Sequence, residues 1–135
     1  MGEHDAGTPG LVRLAAEGSV DQTFTRLEQA VLARGLRVFA RIDFAADAAA
    51  VGLTLPPMRL LIFGNPRAGT PLLAAAPTIG LDLPLKVLVW AEVSGETVVA
   101  YWDPAALAAR HGAAPALVPN IAAVQALAAI AAGTA

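Results

Sequence analysis

The stretch LLIFGNPRAGTPLLAAAPTIGLDLPLK, Leu60 to Lys86, constrains the fold more than any other part of the chain. Its first residues belong to an apolar run without alternation, Met58 to Phe63, of the kind that fills the middle of a sheet. Another strand begins where it ends, at Leu85. Between them lie Asn65-Pro66, Gly69, Pro71, Pro77, Gly80 and Pro84. These interrupt any long helix and leave room for two helical turns near Pro71 to Ala76. A connection of this length inside a compact domain either packs on itself or carries a function. The segment therefore reads as a rigid loop between two central strands.

The flanking elements follow from local rules. Leu11 to Ala16 is short and apolar, a first strand. Ser19 is an N-cap, Gln22 three residues on completes a capping box, and Val20, Phe24, Leu27 and Val31 recur at helical spacing until Gly35 ends the helix. Alternation then places Leu36, Val38, Ala40, Ile42 and Phe44 on one strand face and Arg37, Phe39, Arg41 and Asp43 on the other. Ala45 to Val51 is a helical turn closed by Gly52. Leu85 to Val93 and Thr97 to Trp102 form a hairpin across Ser94-Gly95-Glu96. On these strands Trp90 faces away from Val87 and Val89, and Trp102 away from Tyr101. Asp103 caps a short helix with Pro104 first, ending near Gly112. Asn120 caps a last, almost wholly apolar helix, within residues 119–132.

This order predicts one α+β domain over residues 11–135, behind a disordered lead-in of residues 1–10. The sheet is expected to be antiparallel or mixed, of about four to five strands, with helices packed on one face. At 135 residues the chain suits a single core. Hydrophobic residues make up 56% and charged residues only 15%, too few charges to cover a monomer, so a homodimer is expected. A net charge of −2 with scattered Lys and Arg gives no reason to expect nucleic acid as a partner. The apolar runs are Ala-rich and too short for a membrane span of about 20 residues, and the N-terminus lacks the pattern of a signal peptide. With no Cys, a cytoplasmic location is expected, without disulfides or thiolate metal sites.

The runs TFTRLEQAVLARGLRVFARIDFAADAAAVGL, PPMRLLIFGNPRAGTPLL and PTIGLDLPLKVLVWAEVSG resemble the bacterial family called domain of unknown function 302, over a core of residues 23–103. The resemblance implies a fold similar to the TATA-box-binding-protein type, a curved antiparallel sheet backed by helices, generally dimeric, and carries no DNA binding with it. Where many members read Ile-Asp-His, this chain reads Ile42-Asp43-Phe44, which weakens any His-based mechanism.

Chemistry-bearing residues are few. GNPRAGT, Gly64 to Thr70, has the outline of a phosphate loop, but Thr70 and Pro71 stand where Lys and a hydroxyl residue are needed. It reads as a turn with Thr70 capping a helix from Pro71, with a weaker anion site at that helix start assisted by Arg67. Arg41 and Asp43, two apart on one strand face, are candidates to line a pocket with Asp82 and Lys86. The alternative places Arg41 in an ion pair and Asp82 on backbone amides of the GLDLP bend. The ligand-binding candidates are therefore Arg41, Asp43, Asn65, Arg67, Asp82 and Lys86. His111 reads as a helix C-cap and His4 has no partner in view, so no metal or cofactor site is expected. Two function classes follow: a small-ligand-binding or interaction module, or an enzyme of unassigned class using Asp43, Asp82 and Arg41. Convergence of Arg41, Asp43, Asp82 and Asn65 on one solvent-reachable cavity would favour the enzyme or ligand reading, and closed pairs would count against it.

Overall fold

The computed structural model describes residues 3–4 and 7–134. Strand β1 (Glu3–His4) pairs with β2 (Leu11–Ala16), so the disorder expected of residues 1–10 does not extend to Glu3 and His4. The rest of that expectation falls partly on residues 1, 2, 5 and 6, outside the described ones. Helix α1 (Val20–Ala33) follows, with the predicted capping box: the Ser19 hydroxyl accepts from the Gln22 amide at 3.1 Å, and the Ser19 amide donates to the Gln22 side chain at 2.9 Å. Gly35, at φ 70°, supplies the left-handed residue that turns the chain into β3 (Arg37–Asp43).

Next come α2 (Phe44–Ala50), β4 (Met58–Gly64), α3 (Pro66–Ala75), a 3₁₀ turn at Pro77–Leu81, and the hairpin of β5 (Leu85–Ala91) and β6 (Thr97–Trp102). Helix α4 (Pro104–Arg110), a second 3₁₀ turn (Pro115–Ile121) and α5 (Ala123–Ala132) complete the chain. The sheet has six strands, one or two more than expected, in the order β1-β2-β6-β5-β4-β3 with every neighbouring pair antiparallel. The α+β class holds.

Cross-strand partners share a face, so the register sorts the side chains. Val12, Leu14, Leu61, Phe63, Val87, Val89, Val99 and Tyr101 are buried beneath α1 and α5. Helix α1 contributes Phe24, Leu27 and Val31, and α5 contributes Val124, Leu127, Ala128 and Ala131. By length and mean hydropathy (1.6) Pro115–Ala132 passes for a membrane span. It is divided into the 3₁₀ turn and α5, and the buried side of α5 fills this core. A smaller apolar cluster of Leu72, Ile79, Leu107 and Ile121 sits at the end of the sheet where β4 and β6 finish and β5 starts.

One strand departs from simple alternation. A β-bulge falls between Val38 and Ala40. Val38 pairs with Phe63 on the helix side, but Ala40 pairs with Ile62 and Ile42 with Leu60 on the opposite side. The extra residue, Phe39, reverses the facing of everything after it. Arg41 and Asp43 are thereby turned to the helix-bearing side, not to the face of Arg37 and Phe39 as the alternation predicts. On the hairpin the expectation holds: Val87, Val89 and Tyr101 face the core, while Trp90 and Trp102 lie on the opposite, open face.

Leu27 is fully buried between α1 and the sheet. Leu27→Ala is expected to lower unfolding free energy by about 2–5 kcal/mol in urea denaturation, the range for a deleted core leucine. A loss below about 1 kcal/mol would show that α1 is not held on the sheet as described.

Candidate functional site

Helix α3 begins five residues earlier than predicted, and that shift builds the site. Asn65, read as the opening of a turn, is the N-cap: its Oδ1 accepts from the Arg67 amide at 3.0 Å, with Pro66 at the first helical position. Thr70 is inside the helix, not its cap, and its hydroxyl donates to the Pro66 carbonyl at 2.6 Å. This local bond accompanies Pro71, whose ring nitrogen offers no N–H to the helix ladder. The amides of Ala68 and Gly69 both reach the Asn65 carbonyl. The early amides are thus satisfied within the chain, which removes the anion site expected there with Arg67; that residue is exposed on the first turn.

Between α3, the first 3₁₀ turn and the second lies a cavity of about 350 Å³. Leu83, Leu85 and Ile121 form much of its wall, with half-exposed Phe39 and Leu73 at its margin. Phe39 lies across Gly64: a Cβ on that glycine would stand 3.7 Å from the ring. Three uncharged polar side chains also line the cavity, Asn65, Thr70 and Asn120. Asn120 was expected to cap the last helix. It lies instead in the second 3₁₀ turn and donates from Nδ2 to the Ala68 carbonyl at 3.0 Å, tying that turn to α3.

The ionisable candidates do not converge on this cavity. Arg41 forms a two-bond ion pair with Glu28 of α1, at 2.6 and 3.0 Å. Asp43, at the far end of β3, caps α2 through Ala46. Asp82 does not hold backbone amides with its side chain. Its Oδ2 takes His111 Nε2 at 2.5 Å and lies 3.5 Å from Arg110 Nη1. His111 does close α4, through its backbone amide to Ala108, but its ring spans two elements, with Nδ1 2.9 Å from the Thr78 hydroxyl. Lys86 Nζ donates to the Asp82 and Pro84 carbonyls, each at 3.0 Å, and burial pulls its pKa below the ordinary lysine value against the opposing pull of Asp82. Asp82 and Lys86 thus brace the Leu83–Pro84 wall, and Asn65 borders the cavity directly. Arg41 and Asp43 belong elsewhere. No group of three or more His, Asp or Glu that could hold a metal occurs among the described residues.

The class defined by this geometry is a six-stranded antiparallel α+β domain with helices on one sheet face and an uncharged cleft at the sheet's end. The chain belongs to the family "Domain of unknown function DUF302", whose model matches residues 12–132. The crystal structure of an uncharacterized conserved DUF302 protein from Bacillus stearothermophilus has the same fold, with a TM-score of 0.75 at 23% identity over 93% of this chain and 97% of that one. Two curated relatives are fluoride-specific ion channels named FluC 1, from Brucella suis and Brucella abortus. Each is 45% identical over 102 residues, 76% of this chain. The aligned region spans only about two-fifths of their length, 40% and 38%.

Two predictions come from these side-chain pairs. If His111 and Asp82 act as a unit, the double-mutant cycle of His111→Ala and Asp82→Ala in chemical denaturation shows a coupling of about 0.5–3 kcal/mol; strict additivity would contradict it. The hydrogen bond from Arg41, with its charge and that of Arg59, holds Glu28 below its ordinary value of 4.5, against a smaller upward push from burial. Glu28 therefore binds protons less readily folded than unfolded. Its contribution is present above about pH 4.5 and fades as pH falls through the lower folded value. Glu28→Gln should flatten the acid limb of the stability profile, and an unchanged slope would show the pair to be energetically idle.

Proposed function

We propose that the domain is a binding module that pairs with a second copy of itself through the open sheet face and carries a small-molecule cleft at the end of the sheet. The open face carries this reading. Ile42, Leu60, Ile62, Leu88, Trp90 and Trp102 share it, and none joins either hydrophobic cluster. All six are half-buried, and Trp102 borders the Pro9-Gly10 loop and Ala106 of α4 at one end of the face. The guanidinium groups of Arg13 and Arg110 lie 5.3 and 5.2 Å from the Trp90 and Trp102 ring centroids and are ion-paired with Glu92 and Asp82, so the apolar centre has a polar, charge-paired border, the anatomy of a protein interface.

Size supports the same occupant. Five strands at ~4.8 Å spacing and six or seven residues at ~3.4 Å rise give about 500 Å² in flat projection. Side-chain relief raises this toward the ~800 Å² per partner of a standard interface. An antiparallel sheet open on one side otherwise alternates apolar-in and polar-out; here the open side is mostly apolar too, with Arg13 and Lys86 as the charged residues in register on its central strands.

The enzyme alternative loses support because Arg41, Asp43 and Asp82 are engaged pairwise in separate places. The ion conduction named for the Brucella relatives is not carried over either. The aligned region spans two-fifths of those proteins, and the α5 half of this chain's most apolar stretch lines its own core.

Light scattering at micromolar concentration is expected to give twice the 13.7 kDa chain mass. Leu88→Arg should give a monomer with unchanged far-ultraviolet dichroism. A monomeric native chain would overturn the pairing, as would a Leu88→Arg variant that remains fully dimeric.

A further inference from the structure

The cleft differs from most small-molecule sites in what it lacks: no ionisable side chain lines it among the described residues. The ionisable groups of its surroundings stand outside the lining, exposed Arg67 of α3 among them. Asp82 is held by His111 and Arg110, Lys86 by two carbonyls, and the Arg37 guanidinium stacks on Phe39 at 5.0 Å. A charged ligand buried here would shed its hydration without a counter-charge on the lining itself.

The polar side chains have one bond each to backbone and capacity beyond it. Asn120 uses one N–H on Ala68, Asn65 uses its oxygen on Arg67, and Thr70 uses its proton on Pro66. The Asn120 carboxamide oxygen, the Asn65 amide protons and the Thr70 lone pairs remain to serve a ligand. Apolar walls with a few neutral polar groups select orientation through hydrogen bonds and affinity through burial. About 350 Å³, at ~30 Å³ for each water-sized group, holds about a dozen such groups.

We propose that this cleft binds an uncharged, mainly apolar small molecule of about a dozen heavy atoms, with one hydrogen-bonding group directed at Asn120. The proposal rests on reading the cavity as a ligand cleft and adds the chemical class of what fills it. Gly69 provides a direct handle. It lines the cleft from within α3, and a Cβ built on it meets nothing within 4 Å. Gly69→Leu therefore projects into open space, in a helix that gains from losing a glycine.

The test uses the full chain, native and Gly69→Leu, in two-dimensional amide NMR titrations with phenethyl alcohol, phenylacetate and phenethylammonium. These probes share a ring and reach and differ in charge. The alcohol is expected to shift the amides of Gly69, Leu73 and Ile121 and to bind about tenfold or more tighter than either ion. Gly69→Leu, with a melting temperature at or above the native one, is expected to weaken it by about tenfold or more. If an ion binds at this site as tightly as the alcohol, the uncharged class is overturned and the ligand cleft stands. If no probe shifts these resonances, or Gly69→Leu leaves binding unchanged, the cleft reading falls and the proposal with it.

Discussion

The constraint on which the rest of the structure depends is that a single layer of helices must cover a six-stranded sheet from one side only. Helix α5 meets it with alanine. Ala128, Ala131 and Ala132 are fully buried beside Val124 and Leu127, and small side chains let the helix backbone come close to the strands. Close approach needs an anchor, and Arg26 of α1 provides one. Its Nε donates to the Ala131 carbonyl at 3.0 Å, and Nη2 donates to the Glu17 carbonyl and to the Thr23 hydroxyl. A guanidinium on the last carbonyls of α5 satisfies orphan acceptors and suits the helix dipole. The Glu17 amide also reaches the Ala132 carbonyl at 3.0 Å. One arginine thus ties α1, the end of α5 and the exit of β2 together, and the opposite face is left without cover.

The bulge at Phe39 decides how that uncovered face is composed. With regular alternation, Arg37, Phe39, Arg41 and Asp43 would place three charges on it. The extra residue sends Arg41 and Asp43 to the helix side, where Arg41 finds Glu28, and replaces them with Ala40 and Ile42. The same bulge lies on an edge strand, and exposed Arg37 and Arg41 flank it. Bulges and charges at an edge blunt pairing with another strand. The edge of β3 is therefore guarded while the face beside it is made more apolar. Phe39 is also left free to lie across Gly64 at the margin of the cleft.

Most of the elements were legible in the sequence because their signals are local. The Ser19–Gln22 capping box, the Gly35 stop, the Asp103-Pro104 start and the turn at Gly95 need only neighbours a few residues away, and each is found where it was read. The candidate site was legible only in part. Asn65 borders the cleft and Asp82 and Lys86 brace it, but Arg41 and Asp43 were misplaced because nothing in RVFARID marks a bulge. It shows only in the register of β3 on β4. Asn120 and His111 were read as helix caps, the commonest local role of each. Their side chains instead act across 52 and 29 residues of sequence, on Ala68 and Asp82. Such contacts have no local signature.

The segment from Gly64 to Thr70 shows how one local misreading changes the chemistry expected of a site. Taken as a loop ahead of a helix at Pro71, it leaves free amides, an arginine and the outline of a phosphate site. Taken as it folds, Asn65 closes the first amide on its own side chain and the next two on its carbonyl. The helix then offers no unsatisfied donors to an anion. What α3 presents to the cleft is Pro66, Gly69, Thr70 and Leu73, a surface with room and hydrogen-bonding capacity but no charge. The proline that excludes a nucleotide loop, Pro71, is accommodated inside the helix, where the Thr70 hydroxyl takes a share of the Pro66 carbonyl. The residues that imitate an anion site in sequence are thus the ones that make the wall of this cleft neutral.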